Sequence, residues 1–197
     1  MHKPAYSRDH PDDRRASLIA ATRRVLTRGG AGAATVRAIA AEAGVSPGLV
    51  GHHFDGIDAL IAATYAVVGA EVEAALAAAV AGAGDDPRAR LSAYVGASFA
   101  APIADPALLA TWIAFWSLVA AKSEIARLHE RVYAAYRADL EALLAACGVA
   151  AARRRLAAIA ITALVDGLWL ELCLSPATFT AAEARAIAEA QLAALLV

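Results

Sequence analysis

Residues 35–54 read TVRAIAAEAGVSPGLVGHHF, and almost every position in this stretch has a geometric task. Thr35 is placed to cap a helix running through Ile39 and Ala40, its hydroxyl taking an orphan N–H of the first turn. Gly44 supplies the backbone freedom a sharp turn needs. Ser46 is placed to cap a second helix, and Pro47 falls at the first helical position, where its missing N–H would be unpaired anyway. Ala40 is small where the two helices cross, Val45 and Val50 fill the angle between them, and Phe54 closes the unit against a preceding helix. The outward side carries Pro47, Gly48, Leu49, Gly51, His52 and His53. Small residues there let the backbone approach phosphates or base edges. A tight two-helix corner alone needs only the glycine; the whole combination predicts a helix-turn-helix that places its second helix in the DNA major groove.

The surrounding chain has 197 residues and is 60% hydrophobic, with alanine the largest share. Alanine is the best helix former, and period-two runs of β-branched residues are scarce, so the fold class is all-α. About nine helices are expected. Residues 1–11 read as a flexible arm. A first helix starts at Asp12, carries the stripe Leu18, Ile19, Thr22, Val25 and Leu26, and stops at Gly29-Gly30. Asp12 and Asp13 suit its positive end, and Arg23, Arg24 and Arg28 its negative end. After the helix pair, a long helix over 56–82 follows, then helices over 87–101, 105–121, 123–147, 151–173 and 181–196. This divides the chain into a DNA-binding unit, 12–55, and a bundle, 56–197, with helix 56–82 linking them.

Several function classes are disfavoured. The longest largely apolar run, residues 107–121, falls short of the roughly 20 residues of a membrane span, and the N-terminus has no secretory segment. Cys147 and Cys173 lack motif spacing and read as small buried hydrophobes in a reducing cytoplasm. No nucleophile elbow, phosphate loop, dinucleotide fingerprint or metal-ligand spacing is present, so neither enzyme nor cofactor is expected. His52 and His53 are adjacent and point about 100° apart on a helix, unlike paired ligands three or four positions apart. The net charge is −1, yet residues 1–60 carry eight Lys/Arg against six acids, and four of five histidines precede residue 54. That asymmetry favours a nucleic-acid face at the N-terminal end.

The second informative region is aromatic. Trp112, Phe115 and Trp116 share one helix face, Trp169 and Asp166 lie one turn apart on another helix, and Tyr133 and Tyr136 lie on a third. Such a stripe is ordinarily core. Asp166 is the exception: it is the only charge between Arg155 and Glu171, in a helix apolar nearly all round, which predicts burial of that helix. A buried carboxylate needs a partner. Aromatic faces with a carboxylate suit a quaternary ammonium group or another small cation. The candidate ligand-binding residues are Trp112, Phe115, Trp116, Tyr133, Asp166 and Trp169.

On residues 14–64, and above all Thr35, Ala40, Gly44-Val45-Ser46, Gly48 and His52-His53-Phe54, the chain resembles the TetR family of transcriptional regulators. The segments Trp112 to Trp116 and Leu164 to Trp169 resemble its BetI-like, choline-responsive branch. The resemblance implies a DNA-binding, ligand-released repressor acting in the cytoplasm on a palindromic double-stranded operator. It places Arg37, Ser46, Pro47, Gly48, Leu49, Gly51, His52 and His53 at the DNA, and Thr35 near a phosphate. It implies a homodimer through helices 151–173 and 181–196, where Ala158, Ala160 and Ala163 allow close approach. Three positions depart from the pattern. Gly51 stands where an aromatic or hydroxyl residue is common, and Ile57 where a lysine is common. Glu171 stands where the branch tends to carry a basic residue. The first two predict an altered phosphate grip, compensated by Arg37, His52, His53 or the basic residues Lys3, Arg8, Arg14 and Arg15. The competing readings are a small all-helical enzyme and a protein-interaction module acting on an amine ligand without DNA.

Overall fold

The computed structural model describes residues 11–196; the arm with Lys3 and Arg8 lies outside them. Regular structure among the described residues is helical throughout. In chain order the helices are α1 (Pro11–Ala33), α2 (Val36–Glu42), α3 (Pro47–His53), α4 (Gly56–Gly82), α5 (Pro87–Ala97), α6 (Pro106–Val119), α7 (Ser123–Ala146), α8 (Ala151–Leu174) and α9 (Ala181–Leu195).

Two apolar cores organise them. The smaller joins Leu18, Ala21 and Val25 of α1 to Ile39 and Ala40 of α2, Val50 of α3, Phe54 and Leu60. The larger fills the α4–α9 bundle and takes Leu26 from the far end of α1. Ile57 is half-buried and packs against both. Because α1 packs along α6 and α4 as well as α2, the small unit is seated on the bundle.

Local chemistry explains most boundaries. Thr35 accepts from the Ala38 N–H at 3.1 Å, the cap its position predicts. Gly44 adopts φ 67, the left-handed conformation that glycine takes freely. Asp105 caps α6 by accepting from Ala107 and Leu108 N–H at 2.9 and 3.1 Å. Thr180 and Glu183 close a reciprocal capping box on α9.

Three expectations are corrected. Ser46 precedes α3 but its side chain makes no cap hydrogen bond, so Pro47 and the turn geometry start that helix. As expected, the first helical run stops at Gly29-Gly30: Gly30 leaves helical geometry at φ 65 and ψ −168, and a separate short turn follows to Ala33. Arg23, Arg24 and Arg28, on the last turns before that break, are taken up by carboxylates. Arg23 pairs with Glu71 at 2.7 Å, Arg24 with Glu42 at 2.6 Å, and Arg28 also with Glu42. Helix α5 ends at Ala97, not 101: the N–H groups of Ser98, Phe99 and Ala100 bond three residues back, so the chain continues ahead of Pro102 as tighter turns. Finally, α8 is not buried all round: Leu156 and Leu174 remain 65% and 66% exposed, since none of the described elements covers that side. By length and hydropathy α4 and α8 are each apolar enough to cross a membrane, although polar residues interrupt both. In the fold both pack into the bundle.

Candidate nucleic-acid interface and ligand cavity

Helix α3 stands out from the small unit. Val50 alone on it is buried; Pro47, Gly48, Gly51 and His52 are exposed, and Leu49 and His53 half-buried. A methyl group added at Gly48 or Gly51 would meet nothing within 4 Å. Packing within the chain therefore does not require glycine at either place. Thr35 and Arg37 are exposed on α2, and the rings of His52 and His53 meet edge to face at 5.0 Å.

Arg15 has a different task from the phosphate contact expected of it. Its Nη1 donates to the His53 carbonyl at 2.9 Å, and its guanidinium lies 4.2 Å from the centre of the Phe54 ring. It clamps the C-terminal end of α3 to α1. Glu42, accepting from Arg24 and Arg28, ties α2 to the same helix and sits well below the usual carboxylate range, at about 2.

The bundle encloses a cavity of about 190 Å³ between α4, α5, α6, α7 and α8. Trp112 and Trp169 form one wall, edge to face with centroids 6.0 Å apart. The Trp169 indole N–H is spent on the Ser98 carbonyl at 2.8 Å, which leaves its ring as an apolar surface. The Tyr133 hydroxyl is the hub. It accepts from the Trp112 and Trp116 indole N–H groups at 3.2 and 2.9 Å and donates to Asp166 at 3.1 Å. Two lone pairs and one proton are thereby used, so the proton has a fixed direction toward the carboxylate. Burial pushes the Asp166 carboxyl up to about 6, against the opposing pull of the Tyr133 hydroxyl and the nearby Arg137. A cation entering the cavity would meet a carboxylate that has lost part of its water and lacks a full counter-charge.

Four of the six sequence-named residues, Trp112, Tyr133, Asp166 and Trp169, thus line one cavity. The other two do not. Phe115 is wholly buried and stacks on Tyr65, centroids 4.5 Å apart, because the helical turn aims it at α4. Trp116 is half-buried and acts through its bond to Tyr133. Sequence reasoning missed Tyr94, Glu73 and Asp139 in the cavity wall, and Tyr136, noted as a helix neighbour of Tyr133, lines it too. The signal for Tyr136 was present, since it follows Tyr133 by three positions on α7. Nothing local marked Tyr94 or Glu73.

The two regions are linked by short contacts. Thr111, next to Trp112 on α6, shares a 2.7 Å hydrogen bond with Thr27 of α1. Lys122 pairs with Asp58 at 3.2 Å, joining the start of α7 to α4. A second hollow, about 360 Å³, opens between the end of α3 and the bundle, and Ala66 and Leu128 line both it and the cavity.

Comparison with known proteins gives a consistent picture. Residues 18–64 match the tetR family of bacterial regulatory proteins, and residues 87–197 the BetI-type transcriptional repressor C-terminal family. Over 170 residues the chain is 37% identical to the HTH-type transcriptional regulator BetI of Burkholderia thailandensis, covering 84% of this chain and 85% of that one. Among solved structures, a putative transcriptional regulator from Pseudomonas aeruginosa PAO1 is 45% identical with TM-score 0.87, over 98% of this chain and 95% of that one. A putative transcriptional regulator from Saccharomonospora viridis, solved in complex with choline, shares the fold at 18% identity and TM-score 0.78, over 92% and 96% of the two chains.

Proposed function

The chain belongs to the TetR family, with a BetI-type C-terminal domain, and is therefore a non-enzymatic DNA-binding transcriptional regulator; from that premise we propose that it is a homodimeric repressor released from a palindromic operator by a small organic cation. The DNA-reading unit is residues 12–55, and residues 56–197 bind ligand and dimerise. The exposed residues of α3, with Thr35 and Arg37 of α2, meet the DNA. The open space at Gly48 and Gly51 supports this, because it lets α3 come close to the groove. The uncovered apolar positions Leu156, Ile159, Leu170 and Leu174 of α8 and Ile187 of α9 support a two-fold interface built on these helices. A protein acting on bacterial DNA works in the cytoplasm.

The observation that carries the effector reading is the cavity: two indole faces and a carboxylate that burial holds short of full ionisation. A quaternary ammonium offers charge without hydrogen-bond donors, which suits aromatic walls. The choline in the distant Saccharomonospora neighbour points the same way. Release follows if the ligand favours a spacing in which the two α3 helices no longer match half-sites about 34–36 Å apart, or a multiple of that. It can shift the equilibrium only by its differential affinity for the two states. The test is fluorescence anisotropy on the DNA flanking the protein's own gene, with and without choline. Sequence-selective binding that choline weakens supports the reading; equal affinity for random duplex would end it.

A further inference from the structure

Beyond the half-buried Asp166, two solvent-exposed carboxylates also line the cavity. These are Asp139 and Glu73, and among the described residues no lysine, arginine or histidine lines it. Arg137 is close enough to Asp166 to favour its ionised form, but is not part of the wall. Two of the carboxylates are held in the same way. Tyr133 donates to Asp166 at 3.1 Å, and the Tyr94 hydroxyl reaches Asp139 at 3.3 Å. Tyr133 and Asp139 are six residues apart on α7, a rise of roughly 9 Å.

One turn from each lies Tyr136. Its ring packs against Tyr94 with centroids 5.3 Å apart. Its hydroxyl is buried, has no hydrogen-bond partner, and belongs to a residue lining the cavity. Ser98 is nearby but not in hydrogen-bonding geometry. A buried hydroxyl left without a partner is costly, and a quaternary ammonium, having no N–H, gives it none.

We propose that the cavity has two cation subsites and selects aliphatic diamines or polyamines over singly charged amines. One ammonium group lies against Asp166 and the tryptophan faces. The second, bearing N–H groups, is held by Asp139 and Glu73 and donates to the Tyr136 hydroxyl. This rests on the cation-cavity reading above and adds a second charge to it.

The test is quenching of tryptophan fluorescence in the full chain at constant ionic strength. The probes are putrescine, cadaverine and hexamethylenediamine, against butylamine and tetramethylammonium. At least one diamine should bind about tenfold or more tighter than butylamine, with an optimum in chain length. In Asp139→Asn and in Tyr136→Phe that ratio should fall to about threefold or less, whatever happens to absolute affinity. Glu73→Gln provides the same comparison should either variant fail to fold. Equal binding of mono- and diamines at every length overturns the proposal, as does an unchanged ratio in all three variants. If tetramethylammonium binds and diamines gain nothing, only the second subsite is lost. If no cation binds, the cation-cavity reading falls with it.

Discussion

Asp166, in its proposed role, would serve binding at a cost to the fold. Its carboxyl is raised to about 6 in the folded protein, above the unfolded value of about 3.9. The folded state therefore prefers the protonated form. That contribution to stability is full below about pH 4 and is lost as pH rises through about 6. Asp166→Asn should accordingly be more stable than the parent at about pH 8, by on the order of 2 kcal/mol, with the gap closing toward about pH 4. Thermal unfolding across that range checks the sign; a variant less stable at high pH would show that the ionised carboxylate is well paired. A bound cation must hold Asp166 ionised, so choline affinity should weaken below about pH 6, approaching about tenfold per unit. Asp166 was legible in the sequence because a lone charge in an apolar helix needs an explanation. Phe115 was misread as ligand-binding for a related reason: helical spacing places it with Trp112 and Trp116 but does not say which neighbour each ring meets.

At the scale of the element, the two short helices are started differently, and that difference can be measured. The Thr35 hydroxyl caps α2, so Thr35→Ala should cost about 1 kcal/mol. Ser46 makes no such bond, so Ser46→Ala should leave the melting temperature within about 1 °C. A loss of DNA affinity in Ser46→Ala would then report contact with DNA and not a damaged cap. Arg15→Ala removes the tie between α1 and the end of α3. We expect faster hydrogen exchange at the α3 amides and about tenfold weaker operator binding, with little change in global unfolding. Unchanged exchange would mean that Phe54 and Val50 suffice to hold the helix. Helix starts and stops were largely readable from Thr, Gly, Asp and Pro. The role of Arg15 was not, because its partners lie 38 residues away or more and nothing local marks a clamp. Ile57 shows the converse: packing against both cores accounts for an apolar residue where the family commonly has lysine.

At the scale of the molecule, the uncovered side of α8 is where the proposed dimer would form. Leu156→Glu combined with Leu174→Glu should shift sedimentation toward the monomer and abolish operator binding, because a single half-site gives little specificity. The pair should leave fluorescence quenching by choline in place, since neither residue lines the cavity. A dimer that survives both changes would move the interface elsewhere. The all-helical class and the helix order followed from alanine content, caps and breakers. The closing of five separate helices around one cavity did not, because that depends on tertiary contacts between positions with no shared periodicity.

Ala66 and Leu128 border both the effector cavity and the hollow beneath the end of α3. The two hollows share these residues, so a change in the size of either side chain acts on both. A leucine at position 66 would narrow both at once, so Ala66→Leu should weaken choline binding and blunt its effect on DNA together. An allele series there, scored by quenching and by anisotropy, should fall on one line, whereas substitutions at Trp169 should change the first readout ahead of the second. In the proposed regulator, sensing and response meet as a single steric quantity at an alanine of no chemical distinction, whose main property is how little room it takes.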